Sequence, residues 1–303
     1  MSNIIAVVWD FDKTLISDYM QGPIFKKYGV DAKQFWDEVN KLPDKYKNEQ
    51  NVRVNPDTIY LNHFIDYTRK GIFKGLNNAL LRELGKELVF YNGLPELMSI
   101  SKKMIEDNAI YSEYDIKVEH YIVSTGFTEM IKGSAVNDYV AGIWGCELIE
   151  APDADGNMII SEIGYTIDNT TKTRAIFEIN KGVGLWEGVN VNTKMSEDMR
   201  RVPLKNMIYI ADGPSDVPAF STLNKGGGAT FAIYPRNNIK AFSQVEQLRK
   251  DGRINMYAEA DYSEGTTAYM WITEKIKEFA NRIREAERSK LKNSISDVPK
   301  HLT

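Results

Sequence analysis

Ile4-Ile5-Ala6-Val7-Val8-Trp9-Asp10-Phe11-Asp12-Lys13-Thr14-Leu15 is the stretch on which the fold turns. Its first six residues are apolar, with several β-branched side chains. Such a run suits a strand buried on both faces, as in a parallel sheet. It breaks off into two carboxylates at i and i+2. Open α/β sheets bind ligands at the carboxyl ends of their strands. Close carboxylates repel unless a cation or a proton intervenes. Asp10 and Asp12 therefore read as a candidate site, whereas an isolated pair elsewhere would read as a cap and a solvated turn residue.

Further along the chain, three more apolar runs read as buried strands. They are Tyr121-Ile122-Val123, ending at Ser124; Met207 to Ala211, ending at Asp212; and Ala229 to Ile233. Segments of helical period lie between them. Leu97 to Ile105 is opened by Pro95, and Thr173 to Ile179 carries Ala175, Ile176 and Ile179 on one face. Strands alternating with helices predict an α/β fold with a doubly wound parallel sheet. Tyr19 to Phe90 differs, with helical patterning at Ile24-Phe25, Phe35 to Leu42, Ile59 to Ile65 and Leu76 to Leu88. It reads as a helical insertion, in which Phe35, Trp36, Val39 and Phe64 fit a core better than a ligand box. Gly142 to Ile167 reads as a hairpin turning at Asp155-Gly156. Thr266 to Leu291 reads as a helix followed by a polar, frayed tail. The expected division is a discontinuous α/β core, residues 1–17 and 91–303, interrupted by a helical cap, residues 18–90.

Composition narrows the classes. The chain has 303 residues, 43% hydrophobic and 26% charged, enough for a core without disulfides. Lys+Arg 38 against Asp+Glu 42 gives a net charge of −4, the wrong balance for a nucleic-acid binder. One cysteine, Cys146, excludes an internal disulfide framework and a Cys-rich zinc site, and reads as a small buried hydrophobe. Three histidines, His63, His120 and His301, leave little for a histidine-built site. No apolar run is long enough to span a membrane. Met1 to Val8 has neither a basic n-region nor a small-residue cleavage site after it. A cytoplasmic enzyme is expected, acting on neither nucleic acid nor membrane; the oligomeric state is not legible.

Three of the apolar runs end in residues suited to phosphate chemistry. An Asp at a strand end can act as a nucleophile, and a second two residues on can protonate a leaving oxygen and later activate water. Mg²⁺ takes carboxylate oxygens together with water and phosphate. Ser124-Thr125-Gly126 lets a hydroxyl and backbone N–H groups approach an oxyanion. A serine-hydrolase reading lacks a recognisable base and orienter. Lys172, at the start of a helix, can neutralise the nucleophile and phosphate oxygens. Lys181 reads instead as a helix C-terminal charge beside the stop at Gly182. Asp212-Gly213-Pro214-Ser215-Asp216 places Asp212 to ligate the same metal. Asp216 is placed to ligate it too, to support it from behind, or to cap the helix that follows.

These four motifs, in this order over roughly residues 4–233, resemble the haloacid dehalogenase superfamily, and within it the phosphoserine phosphatase-like branch. Ser124-Thr125-Gly126-Phe127 is similar to that branch's Ser-Gly-Gly-Phe, and Lys172, Ile176 and Ile179 to its Lys-x-x-x-Leu-x-x-Ile helix. The resemblance implies a Mg²⁺-dependent phosphatase for a small phosphorylated metabolite. Asp10 would be the nucleophile and Asp12 the general acid/base, with the Asp12 backbone carbonyl on the metal. Ser124, Thr125, Gly126 and Lys172 would bind the phosphoryl group; Asp10, Asp12 and Asp212 would hold Mg²⁺, supported by Asp216. The departures are Tyr19 where the branch carries a substrate-reading Glu, Thr125 for a Gly, Ser215 for an Asn, and an unmatched extension from about Asn237. Asp18, Tyr19 and Arg53 are candidates to face the substrate. A phosphotransferase, or a phosphate-ligand-binding protein on the same fold, are the alternatives; dehalogenation would not need Asp12 or Asp212.

Overall fold

The computed structural model describes residues 3–296. Seven strands lie among them: β1 (Ile4–Trp9), β2 (Lys117–Phe127), β3 (Val140–Pro152), β4 (Met158–Tyr165), β5 (Met207–Ala211), β6 (Ala229–Tyr234) and β7 (Met256–Glu259). They form one sheet in the order β4-β3-β2-β1-β5-β6-β7. Every neighbouring pair is parallel except the hairpin β3–β4. The α-helices are α1 (Gly22–Tyr28), α2 (Ala32–Gln50), α3 (Ile59–Arg69), α4 (Asn78–Gly85), α5 (Glu96–Glu106), α6 (Ala109–Ser112), α7 (Thr128–Gly133), α8 (Thr171–Lys181), α9 (Val217–Lys225), α10 (Ile239–Lys250) and α11 (Thr267–Ser296). The tail expected after the last helix falls largely on residues 297–303, outside the described residues.

The apolar runs take the central strands because both faces of the sheet are covered. On β1, Ile5, Val7 and Trp9 join one hydrophobic cluster and Ala6 and Val8 the other, all fully buried. On β5, Ile208 and Ile210 face the first side, and Met207, Tyr209 and Ala211 the second. Helices α5 and α11 supply the first layer through residues such as Met98 and Ile276. Helices α8, α9 and α10 supply the second through Ile176, Phe220 and Val245. The sheet is doubly wound, and β1 is where the strand order changes direction, the place where such sheets bind ligands.

Two elements differ from the sequence expectation. β2 does not stop at Ser124 but runs on to Phe127. The register against β3 passes from Val123↔Trp144 to Phe127↔Cys146, so the segment Ser124–Gly126 bulges out of the ladder. A bulge of this kind re-aims side chains beside a site. The extension after Asn237 is structured, adding α10, β7 and α11. It also reaches the first motif: the buried Tyr262 hydroxyl donates to the Thr14 carbonyl at 2.7 Å.

Helices α1 to α4 form the expected helical insertion between β1 and β2. The chain leaves and re-enters side by side, with an Ile16↔Phe90 bridge and Tyr91 N–H on the Leu15 carbonyl at 2.9 Å. Phe25, Phe35, Phe64 and Phe73 pack together inside it, continuous with the first hydrophobic cluster of the sheet. It meets the rest of the molecule tightly. A Cβ at Gly85 would stand 2.1 Å from the Met130 carbonyl oxygen, and one at Gly133 would stand 1.8 Å from that of Arg82. Helices α4 and α7 thus touch backbone to backbone. Along β4, Ile160 N–H donates to Leu76 O at 2.9 Å, Arg69 to Ser161 O at 2.7 Å and Asn77 to Met158 O at 3.2 Å.

Candidate active site

Asp10 follows the last residue of β1, and its N–H donates to the Ile210 carbonyl at 2.9 Å, carrying the β1–β5 ladder one residue further. Its side chain is 5% exposed. One carboxylate oxygen accepts from Lys172 Nζ at 2.7 Å, the other from Thr14 Oγ1 at 2.9 Å. Thr14 reaches back because Lys13 takes a left-handed conformation, φ 58°, which bends the chain so that the Thr14 and Leu15 N–H groups meet the Phe11 carbonyl.

Lys172 comes from the first turn of α8 and is 1% exposed. A second 2.7 Å hydrogen bond runs from its ammonium to Asp216. Burial opposes the charge, but Asp10 and Asp216 outweigh burial and hold the ammonium above the ordinary lysine range. Two of its three protons are used, leaving one for a ligand. Asp216 precedes α9 in the N-cap position but makes no side-chain cap. Instead it accepts from Lys172, from Tyr209 at 2.7 Å and from Ser215 at 2.8 Å.

Asp12 turns elsewhere: its carboxylate accepts the Met20 N–H at 2.9 Å. Burial first, then the Asp10 charge, push its pKa well above the usual carboxylate range. Asp212, half-buried at the end of β5, accepts no hydrogen bond among the described residues. Burial and the charges of Asp10 and Asp216 push it up to about 7. Carboxylate oxygens of Asp10, Asp212 and Asp216 lie within 4.8 Å of one another. This all-oxygen, over-acidic set with one free carboxylate fits a hard divalent cation.

On β2, Ser124 is 1% exposed, and its hydroxyl oxygen accepts the Gly126 N–H at 3.0 Å. Among the described residues its own proton is donated to nothing. Gly126 lets Met20 pack close: a Cβ there would stand 2.3 Å from the Met20 methyl, so any larger residue would have to displace that side chain. The Thr125 carbonyl accepts from the Tyr60 hydroxyl at 2.6 Å and from the Cys146 thiol at 3.3 Å. Cys146 is buried, as its reading as a small hydrophobe expects. Of the substrate-facing candidates, Tyr19 lies beside the first motif, its hydroxyl accepting from Lys13 at 2.7 Å, and exposed Asp18 accepts the Tyr19 N–H. Arg53 is exposed on the loop between α2 and α3.

No family model matches the chain. An uncharacterized protein of Borreliella burgdorferi is 40% identical over 291 residues, spanning 90% of this chain and 97% of its own length, so the two belong to one family. A HAD family hydrolase of Salmonella enterica serovar Typhi superposes over 85% of this chain and 67% of its own, with a TM-score of 0.52 and 14% identity. The chain has the haloacid dehalogenase fold. A probable phosphoserine phosphatase of Vibrio cholerae shares it, covering 92% of this chain and 66% of its own, with a TM-score of 0.51 and 12% identity.

On this haloacid dehalogenase sheet, the strand ends bring Asp10, Asp212 and Asp216 together with Lys172. Three residues lay outside the sequence reading. Thr14 follows Asp10 by four residues, a spacing that a helix-like turn brings into contact. Tyr209 shares its sheet face with Ala211 and with the α8 layer, a parity readable from β5 alone. Tyr91 has no sequence signal: its buried hydroxyl has no partner among the described residues, and the charges of Asp212 and Asp18 add to burial in raising its pKa.

Proposed function

We propose that the chain is a Mg²⁺-dependent phosphatase that hydrolyses a small phosphomonoester through an aspartyl-phosphate on Asp10, acting in the cytoplasm on a phosphorylated metabolite. The observation that carries this is a carboxylate held at the strand end by Lys172 and Thr14, with a second carboxyl two residues on whose pKa is raised. An Asp10 oxygen attacks phosphorus, the bond to the ester oxygen breaks, and protonated Asp12 gives its proton to the leaving oxygen. Asp12, now a carboxylate, takes a proton from the attacking water. The Asp10–phosphorus bond then breaks and inorganic phosphate leaves. Lys172, with its remaining proton, and the Ser124 hydroxyl hold phosphoryl oxygens; Thr125 and Gly126 shape the loop around them. Asp10, the Asp12 carbonyl and the free Asp212 carboxylate would hold Mg²⁺, which when bound offsets charge on the phosphoryl group. Asp216, occupied by three donors, orients Lys172.

Residues 18–90 serve as a cap. Two contacts run from its α2–α3 loop to the turn that carries Lys172: Asn55 to Asp168 at 2.9 Å, and Asn169 N–H to Asp57 at 3.4 Å. Their release and return would open and close the site. The test is a panel of phosphorylated metabolites assayed for phosphate release. Turnover is expected with Mg²⁺, is lost to a chelator, and is abolished in Asp10→Asn of native fold. Wild-type turnover in that variant overturns the mechanism.

A further inference from the structure

We infer that Tyr19, Trp36 and Tyr60 form the subsite for the leaving group, and that it takes a monophosphate ester bearing a flat aromatic ring beside the ester oxygen. This rests on the phosphatase reading and narrows its substrate class.

The three rings join the two motif loops. Tyr19 is tied to the first: its hydroxyl accepts from Lys13, whose ammonium lies 3.9 Å from the ring centre. Tyr60 is tied to the second through the Thr125 carbonyl, one residue from Ser124. Trp36 spans the gap, with ring centroids 5.8 Å from Tyr19 and 5.7 Å from Tyr60. Met20, between them, bonds Asp12 by its N–H and packs its side chain on Gly126. The wall therefore borders the site containing Asp10 and Asp12.

Exposure grades outward along it. Tyr60 is 5% exposed and Tyr19 44%, and Trp36, read from the sequence as core with Phe35, Val39 and Phe64, is half-buried where those three are buried. Trp36 also meets Phe25 and Phe35 at near right angles, so the insertion's core holds its ring while half-burial keeps part of it open to solvent. Its indole N–H has no partner among the described residues. A core tryptophan usually finds one, whereas an aromatic at a binding site keeps an apolar body and an open polar tip. Flat rings on a rigid wall favour a flat partner, by offset or edge contact.

Benzyl phosphate and cyclohexylmethyl phosphate isolate that flatness, because their primary-alcohol leaving groups differ little in chemistry. The matching phosphonates, which are not hydrolysed, read binding alone by calorimetry. The wild type is expected to prefer the benzyl compound about three- to tenfold in kcat/KM and in Kd. Trp36→Leu and, in case that variant folds poorly, Tyr19→Leu at its exposed position should bring the ratio within about twofold. No preference in the wild type, a preference that survives both variants, or a stronger preference for an aminoalkyl phosphate read by Asp18 overturns the subsite. Preferential binding of benzylphosphonate without turnover of any ester leaves the subsite standing and sinks the phosphatase. Turnover indifferent to the ring does the reverse.

Discussion

Trp9 and Asp10 are neighbours in sequence and organise two buried polar clusters of opposite kind. Trp9 Nε1–H donates to His120 Nδ1 at 3.0 Å, which places the imidazole proton on Nε2. That nitrogen faces the Met98 carbonyl at 3.1 Å and Ser101 Oγ at 2.9 Å, and Ser101 donates to Met98 O at 3.0 Å. Burial, with Lys102 adding, pushes His120 down to about 3, so the cluster is neutral and closed. Around Asp10, by contrast, Asp12, Asp212 and Asp216 crowd a single buried ammonium, and among the described residues Asp212 and one Lys172 proton lack partners. A closed network specifies structure. A network with surplus acceptors and charge is completed from outside, which marks where ligand binds.

The largest effect should come from breaking the charged side of this contrast. Lys172→Met leaves two buried carboxylates facing each other; a loss of about 3–5 kcal/mol in denaturant unfolding is expected, together with loss of the proposed phosphatase activity. Adding Asp216→Asn should recover part of the stability and none of the activity. A single variant as stable as wild type would show that the ion pairs hold nothing.

Asp212→Asn removes surplus charge. In chelator at pH 8 the variant should be more stable than wild type, by on the order of 1–2 kcal/mol. A carboxyl raised to about 7 takes up a proton in the folded state before the unfolded one does. Wild-type stability therefore gains as pH falls from 7 toward 3.8, and the variant's advantage should shrink. Melting curves at pH 5 and 8 check both the sign and the trend. If Asp212 holds Mg²⁺ as proposed, the order should reverse when the ion is added, since the variant would lack that ligand.

The neutral cluster should answer acid in the opposite sense. Folded His120 resists protonation down to about 3 while the unfolded chain accepts a proton near 6.5. Stability from this group is complete above 6.5 and is lost as pH falls, at about 1.4 kcal/mol per pH unit. His120→Gln should lose about 1 kcal/mol at pH 7 through its hydrogen bonds and show a shallower acid slope. Equal slopes in the two proteins would refute the neutral assignment.

What could be read in the sequence follows from burial. Strands β1 and β5 were legible because both faces are covered, so every side chain is apolar until the run ends at a carboxylate. The bulge after Val123 was not, since Ser124-Thr125-Gly126 has the composition of a turn. Edge strand β7 was not either: Met256-Tyr257-Ala258-Glu259 is half-exposed and mixes polar with apolar residues. In the site, the carboxylates and Lys172 announce themselves by charge at strand and helix ends. Tyr209 does not, because a tyrosine inside a strand reads as core and only the position of Asp216 gives its hydroxyl a purpose. The Trp9–His120 bond was invisible, since it depends on the parallel register of β1 with β2.

The contacts of the insertion with β4 have a consequence apart from chemistry. β4 is a sheet edge, with a row of backbone groups able to recruit another chain. Leu76, Arg69 and Asn77 occupy Ile160 N–H and the carbonyls of Ser161 and Met158. The helical segment is thus also a guard against strand-to-strand aggregation. A minimal core made by excising it would lose this shield and uncover Leu148 and Ile160, now buried in the cluster shared with the insertion, beside an unpaired edge. Solubility, as much as specificity, ties the insertion to the sheet.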